Sequence, residues 1–107
     1  MPQTRREKIE AMLADEPGDT FLRYSLALEL EKEGLHEQSL ERLRSLMQEA
    51  QPYVPAFFMA AQQLAAHNQA AAARGVLRDG IEHARRAGDA HAAGEMAEFL
   101  ASLGSER

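Results

Sequence analysis

The sequence of 107 residues contains no cysteine and no tryptophan, and aromatic residues make up only 6% of it. Without cysteine the chain has no disulfide framework, thiolate metal site or cysteine nucleophile. Scarce aromatic residues and plentiful alanine favour closely packed helices over a broad sheet core. No segment approaches the ~20 consecutive apolar residues of a membrane span, and the polar residues 1–8 do not lead into the apolar run of a secretory signal. We therefore expect a cytoplasmic protein with no membrane partner.

Positive charge is also scarce. The chain has 12 Lys and Arg residues against 17 Asp and Glu residues, which gives a net charge of −5. Nucleic-acid affinity depends on clustered cations that replace the counterions of the phosphates. The paired cations Arg5-Arg6 and Arg85-Arg86 have acidic residues close to them in the sequence. We expect no nucleic-acid partner.

The apolar residues that are present recur at the three- and four-residue spacing of one helix face, which predicts an all-α fold. Asp19 and Asp89 stand where a carboxylate accepts a backbone N–H at a helix start. Residues that end a helix or permit a tight turn separate the segments: Pro17-Gly18, Gly34, Pro52 to Pro55, His67-Asn68 and Gly88. The six predicted helices cover residues 4–14, 20–33, 36–50, 55–66, 69–87 and 90–103.

The pattern repeats after about 34 residues, so that residues 21–50 match residues 55–84 in apolar and small side chains. Tyr24 falls on Phe58, Leu30 on Leu64, Gly34 on Asn68 and Leu43 on Leu77. The predicted single domain consists of a half-repeat helix, two full repeats, and a C-terminal capping helix with a tail. Their bounds are 1–18, 19–52, 53–88 and 89–107.

The repeat resembles the tetratricopeptide repeat (TPR), in which each 34-residue unit is a pair of antiparallel helices. The resemblance is carried by Leu26-Ala27 with Leu30, by the turn residue Gly34, and by Ser39 and Leu43 in the second helix. The second unit presents Ala60-Ala61, Leu64, Asn68, Ala73 and Leu77 at the same positions. The resemblance implies a right-handed superhelical stack in which the first helix of each repeat lines a concave groove.

Carried over by position, the resemblance places the groove on the second and fourth helices. Family members that clamp a chaperone's C-terminal carboxylate have Lys and Asn where this chain has Tyr24 and Leu28, which argues against that role. The groove residues would be Phe21, Tyr24, Leu28, Glu31, Phe58 and Gln62, with Ala65 beside them.

Three interpretations of this apolar groove remain open. Tyr24 and Phe58 would anchor a peptide or helix of another protein, since aromatic side chains dominate binding interfaces. A second copy of the chain would cover the groove, which would make the protein a structural subunit that forms a homodimer. In the third interpretation, neighbouring helices of the same domain cover both rings.

Enzyme chemistry has little support in the sequence. The four histidines, His36, His67, His83 and His91, stand apart from one another, and no pair has the spacing of a zinc protease. No serine lies in a Gly-x-Ser-x-Gly elbow. We therefore expect no catalytic residues, no metal and no cofactor.

Overall fold

The computed structural model describes residues 2–104, which contain no β-strand and six α-helices. The helices are α1 (Arg5–Asp15), α2 (Thr20–Lys32), α3 (His36–Met47), α4 (Val54–Ala66), α5 (Ala70–Arg86) and α6 (Ala90–Ser102). The all-α prediction is confirmed for this range. The predicted tail after Gly104 lies outside the described residues. None of the described helices is long and apolar enough to cross a membrane.

Side chains at the helix starts explain where several helices begin. The Asp19 carboxylate accepts the backbone N–H of Leu22 at 2.8 Å, and Asp89 accepts that of Ala92 at 3.0 Å. These hydrogen bonds satisfy amides that have no partner inside the helix. Both predicted caps are confirmed.

The turns at the ends of α2 and α4 require a left-handed backbone conformation. Gly34 has φ 80° and Asn68 has φ 64°. Glycine and asparagine tolerate this region far better than other residues do. The pairing of Gly34 with Asn68 in the repeat therefore has a conformational reason.

Helix α3 ends at Met47, three residues before the predicted end at residue 50. Pro52 disfavours helical geometry at the residue before it. The backbone N–H of Tyr53 instead donates to the carbonyl of Leu46 at 3.1 Å. The chain therefore leaves the helix early and folds back over its last turn.

The helix bounds reproduce the sequence period. Helices α2 and α4 begin 34 residues apart and end 34 residues apart, and the corresponding offset between α4 and α6 is 36 residues. Each helix packs against the next one along the chain. The molecule measures 50 × 30 × 19 Å, an elongated shape for a chain of this size.

Within the described part of the chain, the buried apolar residues form a large cluster and a small one. The small cluster joins α1 to α2 through Ile9, Leu26 and Leu30. The large cluster extends from α2 to α6, and Leu43, Leu64, Leu77 and Met96 are among its fully buried members. The predicted core stripes of α2 and α4 are confirmed, since Leu26, Leu30, Ala60 and Leu64 are all buried.

One polar pair is buried inside the large cluster. Ser39 Oγ donates to the carbonyl of Ala27 at 2.6 Å and lies 3.2 Å from Oε1 of Gln63. Both side chains are buried. Because a buried polar group without a partner is costly, this pair favours one register of α3 against α2 and α4.

Candidate functional site

The three helices α2, α4 and α6 together line an open cavity of about 300 Å³. Helices α3 and α5 lie between them in the chain, so the cavity belongs to alternate helices of the stack. Helix α2 contributes one side chain, while α4, α6 and the N-cap residue of α6, Asp89, contribute the rest of the walls. The lining residues are Tyr24, Val54, Pro55, Phe58, Met59, Gln62, Asp89, His91, Ala92, Glu95 and Met96.

Two aromatic rings on the cavity wall are half-buried and each packs against another ring. Tyr24 meets Tyr53 edge to face with their centroids 5.4 Å apart. Phe58 meets Phe99 of α6 at 5.8 Å. These pairs hold the rings in place while one side of each continues to line the cavity, so neighbouring helices of the domain cover them only in part.

The polar part of the cavity is mainly acidic. Asp89 and Glu95 both line it, and Gln62 is exposed beside them. His91 Nε2 lies 3.3 Å from Glu95 Oε1, with the histidine side chain 87% exposed. An exposed pair of this kind contributes little to stability, so Glu95 remains able to bind a cation.

The Tyr24 phenol keeps its proton over a wider pH range than a free tyrosine does. Burial is the main cause that raises its pKa, and the nearby Tyr53 raises it further. Burial therefore extends the range of pH in which the hydroxyl is neutral and able to donate a hydrogen bond.

The structure divides the predicted groove residues among different places. Tyr24, Phe58 and Gln62 line the same cavity. Leu28 is half-buried and is not part of the cavity wall. The cavity residues that sequence reasoning missed are Val54, Pro55 and Met59 on α4, the cap residue Asp89, and the residues of α6. The 36-residue offset from α4 could have identified α6 as the third wall.

Phe21 lies in a different hollow, between α1 and α2. It is 65% exposed, and Met12 beside it is 48% exposed. Ile9 and Leu22 line the same hollow. The prediction placed Phe21 in the groove from its repeat position, whereas the structure puts it next to the N-terminal half-repeat.

Glu31 joins two histidines from neighbouring turns. Its Oε1 lies 3.1 Å from His36 Nδ1, and its Oε2 lies 3.0 Å from His67 Nε2. The two imidazole rings stack with centroids 3.6 Å apart. The expectation that each histidine stands alone is therefore wrong for these two. The sequence showed only that both histidines border turns that the repeat superimposes, which does not by itself indicate a contact between their rings.

The local environment favours an ionised Glu31. Burial raises the pKa of this carboxyl group, but hydrogen bonds from His67 and His36 outweigh burial and lower the pKa overall.

The imidazole and carboxylate donor atoms of the three residues all lie within 4.8 Å of one another. This is the donor set of many transition-metal sites.

Comparisons with known proteins support the fold alone. No protein-family model matches the chain, and no curated protein matches it. The fold is similar to the solution structure of protein BPP2914 from Bordetella parapertussis, a structural genomics target, with a TM-score of 0.79. The two sequences are 26% identical, and the match covers 95% of this chain and 89% of the other.

Proposed function

We propose that the chain is a TPR-like right-handed superhelical stack that binds a peptide or helix of another protein, without catalysing a reaction. The observation that carries this proposal is the open cavity between α2, α4 and α6, with half-buried Tyr24 and Phe58 on its wall. Apolar clefts with a few polar groups at the edge are the usual form of a binding site.

The period of the helices supports the TPR-like arrangement. Alternate helices of equal length, offset by 34 and 36 residues, share one face of the stack. Repeats of this kind present the same face of each unit to a common ligand. The N-terminal helix α1 and the last helix α6 then act as half-repeats that cover the ends.

The partner segment would place apolar side chains against Tyr24 and Phe58. Gln62 would hydrogen-bond to its backbone or polar side chains, and Asp89 and Glu95 would favour a basic residue beside the apolar anchor. The surface is short, so we expect an affinity in the micromolar range for a single peptide.

The test is a selection of peptides from a random library on the immobilised protein, followed by affinity measurements in solution. Gln62→Arg and Glu95→Arg change exposed residues of the cavity and leave the core intact. We expect both to weaken binding by about tenfold, which corresponds to ~1.4 kcal/mol. Gln38→Arg and Glu41→Arg on the exposed face of α3 are matched controls that should bind like the unaltered chain. Equal affinity for all five proteins would refute the cavity as the binding site.

A second candidate function is that of a structural subunit that associates with itself. The exposed Phe21 and Met12 favour it, because contiguous exposed apolar surface is commonly covered by a partner. Such a contact would use the α1–α2 hollow and leave the cavity free, or a second copy would fill the cavity itself.

A further inference from the structure

We propose that Glu31, His36 and His67 form a binding site for a divalent transition-metal ion, with Zn²⁺ as its first candidate. This inference goes beyond the proposed peptide binding and does not depend on it. The three residues come from three helix ends: Glu31 from the last turn of α2, His36 from the first residue of α3, and His67 from the cap that follows α4.

The distances suit a metal ion of this size. Zn–N and Zn–O bonds of about 2.0–2.2 Å in tetrahedral geometry place neighbouring ligand atoms about 3.3 Å apart. Oε1 of Glu31 lies 3.1 Å from His36 Nδ1, and the other oxygen, Oε2, lies 3.0 Å from His67 Nε2. The donor atoms of the three residues all lie within 4.8 Å of one another. His67 is 42% exposed in its side chain, so its ring can turn slightly to bring both nitrogens to the same ion.

The chemistry of the donors selects the class of metal. Two imidazole nitrogens and one carboxylate suit Zn²⁺, Co²⁺ or Ni²⁺, whereas Mg²⁺ and Ca²⁺ prefer sites made of oxygen alone. Three protein ligands leave a fourth position of a tetrahedral zinc ion for water or for a group from a partner. The carboxylate of Glu31 would supply one oxygen ligand to the ion.

The environment of His36 sets the expected strength of binding. Its Nε2 atom is buried and has no hydrogen-bond partner among the described residues. A His36 ring bound to a metal through Nδ1 must carry its proton on Nε2, where no acceptor within residues 2–104 fixes the orientation of the ring. We therefore expect micromolar rather than nanomolar affinity for zinc.

The site would connect two repeats. Glu31 and His36 flank the turn at Gly34, and His67 precedes the turn at Asn68. A bound ion would fix the end of α4 against the turn between α2 and α3. Metal binding should therefore raise the thermal stability of the whole stack, because a ligand that binds only the folded state stabilises it.

The experiment is a titration of the full chain, purified without a histidine tag and treated with a chelator, with Zn²⁺ alone. We expect one zinc ion per chain by isothermal titration calorimetry. In NMR spectra of the unaltered protein, the imidazole nitrogens of His36 and His67 should shift, while those of His83 and His91 should not. This readout needs no variant to fold.

Variants then assign the ligands. His67→Ala and Glu31→Gln should each weaken zinc binding about tenfold or more, since each removes one of three ligands. His91→Ala is the matched control, because it removes the exposed His91–Glu95 pair and should leave the affinity unchanged. Circular dichroism checks that all variants remain helical. The proposal fails if zinc does not bind, if His67→Ala binds zinc as well as the unaltered chain does, or if zinc shifts the nitrogens of His91 instead of those of His36 and His67.

Discussion

A side-chain carbon at Gly80 would lie 2.6 Å from the Cβ atom of Phe57, closer than two such atoms can approach. It would also lie 2.7 Å from the sulfur of Met96. The absence of a side chain at Gly80 therefore lets α5 pack closely against both α4 and α6. Because Met96 lines the cavity, this close contact also adjoins the cavity wall.

Gly80→Ala should destabilise the protein by ~1–3 kcal/mol, because one added carbon has to displace buried neighbours. Gly75 lies in the same helix, and no neighbouring atom of residues 2–104 would lie within 4 Å of a Cβ atom at this position. Gly75→Ala should therefore stabilise the protein by ~0.5–1 kcal/mol, the gain expected when alanine replaces glycine within a helix. Urea denaturation followed by circular dichroism measures both. The close approach is disproved if the two variants are equally stable.

Replacement of Asn68 by glycine should leave the stability nearly unchanged, whereas replacement by alanine should lower it. With φ at 64°, Asn68→Ala places a side chain that prefers other conformations in the left-handed region and should cost ~1 kcal/mol. Asn68→Gly keeps the permitted geometry and should change the stability by less than ~0.5 kcal/mol. The thermal unfolding temperatures of the unaltered chain and the two variants test this prediction. An alanine variant more stable than the unaltered chain would contradict the left-handed conformation at residue 68.

Tyr24 should make stability fall at alkaline pH. Burial raises the pKa of this phenol above its ordinary value of 10.0, so the folded state favours the protonated form. The stabilisation is complete below pH 10.0 and is lost as the pH rises through the higher pKa of the folded state. In urea titrations, the unaltered chain should lose stability above pH 10.0 relative to Tyr24→Phe. If the stability of both proteins changed with pH in the same way, the Tyr24 ring would be exposed to solvent and not half-buried.

Phe21 should govern any self-association through the α1–α2 hollow. If copies associate there, Phe21→Ser and Met12→Ser should each shift the sedimentation equilibrium towards monomer, since both side chains are largely exposed. Gln62→Arg in the cavity should leave such an association unchanged. If Gln62→Arg shifted the equilibrium towards monomer while Phe21→Ser and Met12→Ser did not, a second copy would occupy the cavity.

The helices were predictable because their signals are local. The caps at Asp19 and Asp89, the turn residues Gly34 and Asn68, and the spacing of leucines and alanines each act within a few residues of the chain. Helix ends were less predictable, as α3 shows: the backbone hydrogen bond from Tyr53 to Leu46 forms only after the chain has turned back.

The candidate sites were predictable only in part. Repeat position assigned Tyr24, Phe58 and Gln62 to one surface, and all three line the cavity. It misplaced Phe21, because that side chain lies in the hollow between α1 and α2 and not in the cavity. It also missed the histidine pair, since the contact between His36 and His67 depends on how two turns lie against each other in space.

The most direct test of cavity binding is site-specific photo-cross-linking in extracts of the cells from which the chain comes. A photoreactive phenylalanine analogue replaces Gln62 in the cavity or Gln38 on the exposed face of α3, both of which are exposed. The account predicts a discrete cross-linked partner protein at Gln62, absent at Gln38 and competed by the selected peptides. Identical products at both positions, or none at Gln62 while the selected peptides still bind, would contradict it.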